Sequence, residues 1–302
     1  MPASIRHVQY AQGNDDLARR ADRLYVAAMS NHQKPVPPAP VRPIIIGRIN
    51  FIGLRAFYYR EVMRFVKIIT QTVFAPILTA ALFMAVFAVA IGERLGTEGG
   101  LDYIIFLAPG LIMMQVLQNA FANTSTSFVV SKVQGNIVDM LMPPIGPLEL
   151  LIAMTAAGVT RGILVGIVTA IALWFFGASG WPAHPLTALI FLLLGSTLLS
   201  LIGVMAGIWA NKFDNLATIT NFVIQPMVFL SGTFYSIDRL PAPFATIASY
   251  NPVFHMIDGY RYGVTGVASF PPLYGMAVLT GLVIAVGILC WRMLDTGYKL
   301  KS

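Results

Sequence analysis

Amide and hydroxyl side chains recur at four-residue spacing within one long apolar stretch of the sequence. Gln115, Asn119, Asn123 and Ser127 follow one another at this spacing, and Gln118 stands beside them. Residues four apart share one face of a helix, and lipid offers such a face no hydrogen-bond partners. The stripe therefore predicts either a path for a polar substrate or hydrogen bonds between packed helices, and both interpretations stay open.

A second stripe and one buried charge accompany the first. Asn221 and Gln225, with Thr218 before them, form this second stripe on a later apolar stretch, and the same two interpretations apply to it. Arg161 is the only charged residue deep inside a predicted span, where a charge is costly unless it is paired or reaches the membrane surface. Glu149 lies too far along the same helix to pair with it, so any partner of Arg161 comes from another helix.

Motifs for enzymatic chemistry are absent from the sequence. It contains no Gly-Lys dipeptide and therefore no P-loop, and it contains no HExxH, GxSxG or dinucleotide-binding pattern. The one cysteine, Cys290, lies in an apolar run, and the four histidines are scattered. We therefore expect no catalytic residue, no metal site and no cofactor in this chain.

The elements that hold these residues are predicted to be membrane helices. Hydrophobic residues make up 57% of the chain and charged residues 11%, whereas soluble domains carry roughly 25% charged residues. A helix crosses the hydrocarbon layer in about 20 residues. The apolar runs thus predict an all-α integral membrane fold with six transmembrane helices in a domain at 68–292; the spans are 68–91, 103–130, 150–176, 186–210, 218–232 and 273–291.

The segments outside the spans are predicted from their polar residues. Residues 1–43 form a cytosolic leader, partly disordered, with five prolines between Pro35 and Pro43. Residues 44–67 mix apolar residues with arginines, which predicts an amphipathic helix in the membrane interface. Residues 293–302 form a short cytosolic tail.

Basic residues predict the orientation. With both termini in the cytoplasm, most of the flanking Lys and Arg residues lie on the cytoplasmic side, as the positive-inside rule requires. Only Arg94, Arg239 and Arg261 then lie outside. Because the basic residues collect at the ends of apolar runs, we expect membrane lipid, and not nucleic acid, as the partner of the net charge of +7.

The segment at 233–272 is too interrupted to span and too apolar to be a plain loop. It predicts two re-entrant half-helices before the last span, hinged at Asn251 and Pro252, with Tyr235, Arg261 and Tyr262 in the same segment. An amphipathic loop lying on the outer membrane surface is the alternative.

Four stretches carry a family resemblance: FLAPGLIMM at 106–114, QGNIVDMLMPPI at 134–145, FLSGTFYSIDRLP at 229–241 and NPVFHMIDGYRYG at 251–263. With them the chain resembles the permease subunits of the second type of ABC exporter, and most closely the small bacterial transport permease proteins. The resemblance covers roughly residues 50–300.

The resemblance implies a homodimer in the bacterial inner membrane that binds two copies of a separate P-loop ATPase, which holds ATP and Mg. The loop after the second span would then couple to that ATPase through Lys132, Gln134, Asn136, Asp139 and Met142. It also implies export of a glycan, a lipid-linked or amphipathic molecule, or a drug. An ion-driven secondary transporter is the alternative.

Overall fold

The computed structural model describes residues 19–26, 49–88, 97–98, 101–178 and 180–300. The chain divides into two units, 1–46 and 47–302. In the first unit only residues 19–26 are described, and they are helical. The rest of the predicted leader, residues 44–48 of the predicted interfacial helix, the end of the first predicted span and residues 301–302 lie outside the described residues.

Most of the segment 44–67 forms a helix, α1, Phe51–Val66; its position in the membrane interface stays a prediction. Asn50 caps it, because the Asn50 side chain accepts a hydrogen bond of 2.8 Å from the backbone N–H of Gly53. Phe57, Glu61 and Phe65, four residues apart, form the buried face of this helix. The helix is therefore amphipathic, as its sequence predicts, but a carboxylate lies in its buried stripe.

Within the described part of the chain, five helices are long and apolar enough to cross a membrane: α2, Ile69–Phe87; α3, Tyr103–Val133; α5, Pro147–Phe175; α6, Pro185–Trp209; and α11, Pro272–Thr296. Each of them coincides with a predicted span. The predicted count of six is not confirmed, because the segment at 218–232 does not form a helix of spanning length.

That segment belongs to a short broken helix at 213–229. It consists of α7, Phe213–Ile219, a π-helical turn at Thr220–Ile224, and α8, Gln225–Phe229, with seven, five and five residues. Pro226 has no N–H and cannot continue the α-helical hydrogen bonds, and the N–H of Gln225 donates to Thr220 O, five residues back. Each of these three parts is shorter than the ~20 residues that a continuous spanning helix needs.

The segment after the broken helix contains a 3₁₀ turn at Ile237–Arg239 and two helices, α9, Ala242–Tyr250, and α10, Pro252–Thr265. The helices meet at Asn251 and Pro252, where the sequence predicts the hinge. Most of α10 is buried against α3 and α6, which favours a packed re-entrant segment over a surface loop. The depth of the segment in the membrane stays a prediction.

Two small elements complete the chain. An antiparallel hairpin of β1, Thr97–Glu98, and β2, Leu101–Asp102, precedes α3, and the sequence analysis missed it because two-residue strands carry no readable alternation. A turn at Gly135, whose φ is +75°, leads from α3 into the short helix α4, Ile137–Leu141. The predicted all-α class therefore holds apart from this hairpin.

The core is built around α3, which packs against both α5 and α6. Glycines of α6 allow the close approach of α6 to α3. A Cβ atom on Gly203 would lie 2.5 Å from the carbonyl oxygen of Phe121, and one on Gly207 would lie 2.9 Å from that of Ser125. Small residues at helix contacts are the usual means of packing within membranes. By contrast, α2 and α11 are mostly exposed and offer their apolar surfaces to lipid or to another chain.

Candidate functional site

A polar cavity of about 280 Å³ lies between α3 and the broken helix 213–229. We call it the polar cleft. Its lining residues are Gln118, Asn119, Phe121, Ala122, Ser125 and Thr126 of α3, and Leu216, Thr220, Ile224 and Gln225 of the broken helix. Every lining side chain is uncharged, and those with polar atoms carry amides or hydroxyls. The cleft can therefore exchange hydrogen bonds with a ligand through its amides and hydroxyls.

The two predicted stripes meet in this cleft. Gln118 Nε2 donates a hydrogen bond of 3.2 Å to Gln225 Oε1. Asn119 Nδ2 donates to the carbonyl oxygen of Gln115 at 3.0 Å, while Arg161 Nη2 donates to Asn119 Oδ1 at 3.1 Å. The structure thus brings Gln118, Asn119 and Gln225 together and identifies Asn119 as the partner of Arg161.

Other members of the stripes lie elsewhere. Asn123 and Ser127 face α1, Gln115 is buried with an Nε2 that has no hydrogen-bond partner, and Asn221 is exposed on the broken helix. The helix geometry explains the division of the α3 stripe. A step of four residues overshoots a full helical turn by about 40°, so Ser127 is rotated by about 120° relative to Gln115.

The residues that Asn123 and Ser127 contact form a cluster that the sequence analysis missed. Glu61 is 2% exposed and lies 3.2 Å from Arg60 and 3.1 Å from Arg64. Ser127 Oγ also donates to Glu61 Oε2 at 2.8 Å. We call Arg60, Glu61, Arg64, Asn123 and Ser127 the charged cluster. The i, i+3 pair of Glu61 and Arg64 on an otherwise apolar face was the signal in the sequence.

Arg64 links α1 to α3 through its guanidinium. Its Nη2 donates to the carbonyl oxygen of Asn123 at 2.5 Å and to Asn123 Oδ1 at 3.2 Å. Its Nη1 donates to Thr126 Oγ1 at 3.3 Å. Because Thr126 lines the polar cleft, the charged cluster and the cleft share one wall.

One carboxylate joins the starts of two helices. Glu149 Oε1 accepts a hydrogen bond of 2.6 Å from Asn50 N, and Glu149 Oε2 accepts one of 2.6 Å from Gly146 N. Asn50 Nδ2 donates to the carbonyl oxygen of Pro144 at 2.9 Å. We call Asn50, Pro144, Gly146 and Glu149 the joint. An acidic residue three positions after a helix N-cap is a recognisable capping signal, although its link to Asn50 is not readable from sequence.

The segments that the joint connects by hydrogen bonds are also in close van der Waals contact. A Cβ atom on Gly53 would lie 2.4 Å from Cγ2 of Ile145, so the first turn of α1 and the loop before α5 touch. Tyr58 and Thr160 share a further hydrogen bond of 2.9 Å between α1 and α5. The helix α1, the loop at 142–146 and the start of α5 therefore form one connected unit.

The residues predicted to couple to an ATPase divide into two groups. The ammonium of Lys132 donates to the carbonyl oxygens of Ile208 and Ala210, so it caps the C-terminal end of α6 and does not point outward. Gln134, Asn136 and Asp139 line a cavity of about 630 Å³ beside α1. Met142 is 75% exposed. The last four residues are thus accessible to a partner.

The residues predicted in the re-entrant segment mainly hold this segment against its neighbours. Arg261 is 3% exposed; its Nη2 donates to the carbonyl oxygen of Gly232 at 2.7 Å, and its guanidinium lies 3.9 Å over the ring of Phe106. Asp258 lies 3.8 Å from Arg261. Arg261, which the orientation argument counted as an outer flanking charge, is therefore buried within the bundle.

The other members of this segment attach it to its neighbours. Asn251 Oδ1 caps α10 through Val253 N at 3.0 Å, and its Nδ2 donates to the carbonyl oxygen of Met227 at 2.7 Å. Pro252 is the first residue of α10. The hydroxyl of Tyr235 donates to the carbonyl oxygen of Phe229 at 3.4 Å, and Tyr262 stacks on His184 with ring centroids 4.9 Å apart.

Comparison with known proteins assigns the chain to a family. The family model described as ABC-2 type transporter matches residues 53–265. The inner membrane transport permease YadH of Escherichia coli K12 is 36% identical over 257 residues, which cover 84% of this chain and 99% of that protein. Nodulation protein J of Rhizobium leguminosarum bv. viciae is 24% identical over 252 residues, covering 81% and 89%. The protein therefore belongs to the ABC-2 type transporter family and is a membrane permease subunit, in a family whose ATPase is a separate chain.

Proposed function

We propose that this chain is the permease subunit of an ATP-driven exporter in the bacterial inner membrane, and that the polar cleft is part of its substrate path. The observation that carries the proposal is the pair of amides, Gln118 and Gln225, which face each other in a cavity inside an apolar bundle. Amides at membrane depth require partners. Here each amide is the partner of the other, and the two amides lie on separate elements, α3 and the broken helix. Separation of these elements would make both amides available to a passing substrate.

A homodimer is the assembly that fits the exposed face of the broken helix. Asn221 and Thr218 are exposed there, and Phe222 is 79% exposed. An amide on a lipid-facing surface is unfavourable, so a second copy of the chain would satisfy it better than lipid does. The polar cleft, on the other side of the same helix, would then lie next to the dimer interface.

Coupling to two copies of a P-loop ATPase would act at the end of the bundle that holds the joint. The exposed residues Gln134, Asn136, Asp139 and Met142 offer a contact for a cytosolic partner. The joint connects their loop to α1 and α5, so a displacement of the loop would move both helices. ATP and Mg would be bound by the partner chain. Both termini are cytoplasmic in this proposal, since the basic flanks favour that orientation.

The substrate in this proposal is an amphipathic molecule, such as a glycan, a lipid-linked molecule or a drug. The cleft combines hydrogen-bonding side chains with the apolar Phe121, Leu216 and Ile224. Such a lining suits a ligand with one polar and one apolar part.

The test is purification of the chain from its native membrane in mild detergent, followed by identification of its partners by mass spectrometry. We expect a stoichiometric ATPase that carries a P-loop, and ATP hydrolysis in the complex. The substitution Asp139→Arg should weaken this association, whereas Asp139→Asn should retain it. A homo-oligomer without an ATPase, found again after crosslinking, would contradict the proposal. Transport that persists without ATP but stops with a proton uncoupler would indicate an ion-driven transporter.

A further inference from the structure

We infer that the substrate which enters the polar cleft is an anionic amphiphile, because Arg161, behind the α3 wall of the cleft, has no carboxylate partner among the described residues and leaves that wall with a positive charge. The inference rests on the proposed role of the cleft as the substrate path. It adds the sign of the substrate's charge, which the uncharged lining of the cleft does not indicate.

The first observation is the environment of Arg161. It lies near the middle of α5, where its Nη2 donates to Asn119 Oδ1. Its Nε is buried and has no hydrogen-bond partner. Among the described residues no carboxylate lies within 4.0 Å of its guanidinium. A cation at this depth normally has a counter-ion, and the described part of the chain does not supply one.

The second observation is the shortage of carboxylates in the charged cluster next to it. Glu61 is shared by Arg60 and Arg64. Among the described residues no other carboxylate pairs with these arginines, and none pairs with Arg161. Arg60 and Arg64 are partly exposed on the cavity beside α1, so the positive charge that water screens least is that of Arg161, whose Nε is buried.

The third observation connects these charges to the polar cleft. Asn119 lines the cleft and accepts from Arg161, while Thr126 lines the cleft and accepts from Arg64. No charged side chain lines the cleft to offset them. A cavity with walls of low dielectric concentrates such a field. An anionic group in the cleft would be stabilised, and a cationic group would be repelled.

The direction of Arg161 argues against a purely structural position at the membrane surface. A long basic side chain can extend along its helix to place its charge at the interface. Arg161 instead turns across to α3, to an asparagine of the cleft wall. Its positive charge is thus held beside the proposed path, where it acts on whatever occupies the cleft.

The test uses the complete transporter, with its ATPase, in proteoliposomes. Three probes with the same alkyl chain are compared: an alkyl phosphate, an alkyl phosphocholine and an alkyl trimethylammonium. Inorganic phosphate alone is the fourth probe and separates a free anion from an amphiphile. The readout is the probe concentration that gives half-maximal stimulation of ATP hydrolysis, together with ATP-dependent transport of the labelled probes.

We expect the alkyl phosphate to act at the lowest concentration and inorganic phosphate to have no effect. Arg161→Gln should raise the half-maximal concentration of the alkyl phosphate by about tenfold, the size expected for loss of one charge-assisted interaction. The other two amphiphiles should change little. Arg161→Lys should retain the preference, and Lys212→Gln, which removes an exposed charge outside the cleft, should have no effect.

Equal responses to the three head groups in the unmodified protein would overturn the inference while leaving the transport function intact. An equal shift of all three by Arg161→Gln would also overturn it, because that pattern reports a structural role. Stimulation of ATP hydrolysis by inorganic phosphate would contradict the inference that the substrate is an amphiphile. A complex that hydrolyses ATP but neither responds to nor transports any probe would count against both the inference and the proposed path. If Arg161→Gln does not fold, the head-group preference of the unmodified protein decides the question.

Discussion

The joint and the polar cleft are both polar regions of an apolar bundle, but they differ in how completely their polar groups are bonded. At the joint, the two carboxylate oxygens of Glu149 each accept a bond of 2.6 Å, and Asn50 uses both ends of its side chain. At the cleft, one bond of 3.2 Å joins the facing amides of Gln118 and Gln225, and Gln115 Nε2 and Arg161 Nε behind the cleft have no partner.

The joint and the polar cleft are therefore suited to different functions. A fully bonded polar group is rigid and specifies one arrangement, while buried groups without partners raise the free energy of the empty site. The joint suits the transmission of a displacement between α1, the loop and α5. The cleft suits a ligand that arrives and leaves, because a single bond joins its facing amides and a ligand can replace that bond. The following substitutions test this contrast.

The charged cluster should be the most sensitive region. Glu61→Ala removes the only carboxylate among the described residues that pairs with Arg60 and Arg64, and breaking a buried ion pair in this way costs about 3–5 kcal/mol. We expect a strong decrease in the thermal unfolding temperature of the purified protein. The double variant Glu61→Leu with Arg64→Met should recover much of the loss, because it removes the unpaired charge as well. A single variant as stable as the parent would show that the cluster does not hold α1 to α3.

The joint should come next. Glu149→Ala leaves the N–H groups of Asn50 and Gly146 without acceptors, at about 1–3 kcal/mol for each group. We expect a moderate loss of stability and a larger loss of transported molecules per ATP hydrolysed, since the loop would no longer move with α1. Glu149→Gln keeps an acceptor and is the matched variant, with an intermediate effect. If Glu149→Ala leaves the number of molecules transported per ATP hydrolysed unchanged, the joint does not take part in coupling.

The cleft should show the smallest effect on stability. The bond between Gln118 and Gln225 is worth about 0.6 kcal/mol on the scale of hydrogen bonds between membrane helices. A double-mutant cycle with Gln118→Ala and Gln225→Ala should give a coupling of that size in thermal unfolding, and both variants should alter the substrate concentration for half-maximal transport. A coupling as strong as that expected at the joint would mean that the cleft is a packing contact and would remove the contrast between the two regions.

Several features of the fold could be predicted because they depend on local composition alone. The helices α3 and α6 begin within one residue of the predicted starts of their spans. This agreement is expected, since the length and apolar character of a run decide whether it can cross a membrane. The hinge at Asn251 and Pro252 was also predictable, because an Asn followed by Pro at the first helical position is a capping signal. The interruption of the helix at 213–229 could not be predicted, since hydrophobicity does not report the π-helical turn before Pro226, and the sixth span stays a prediction.

Apolar runs were enough to locate the long helices, four sequence stretches carried the resemblance to membrane permeases, and the spacing of amides and hydroxyls showed that polar residues recur along α3. The contacts of those residues became known from the folded structure: Gln118 meets Gln225, Ser127 meets Glu61, and Lys132 caps α6. Periodicity assigns residues to a face of one helix, whereas a contact also depends on the rotation and depth of the neighbouring helix. A stripe that drifts by about 40° at each four-residue step reaches different neighbours along its length, and their positions are set by packing across the whole bundle.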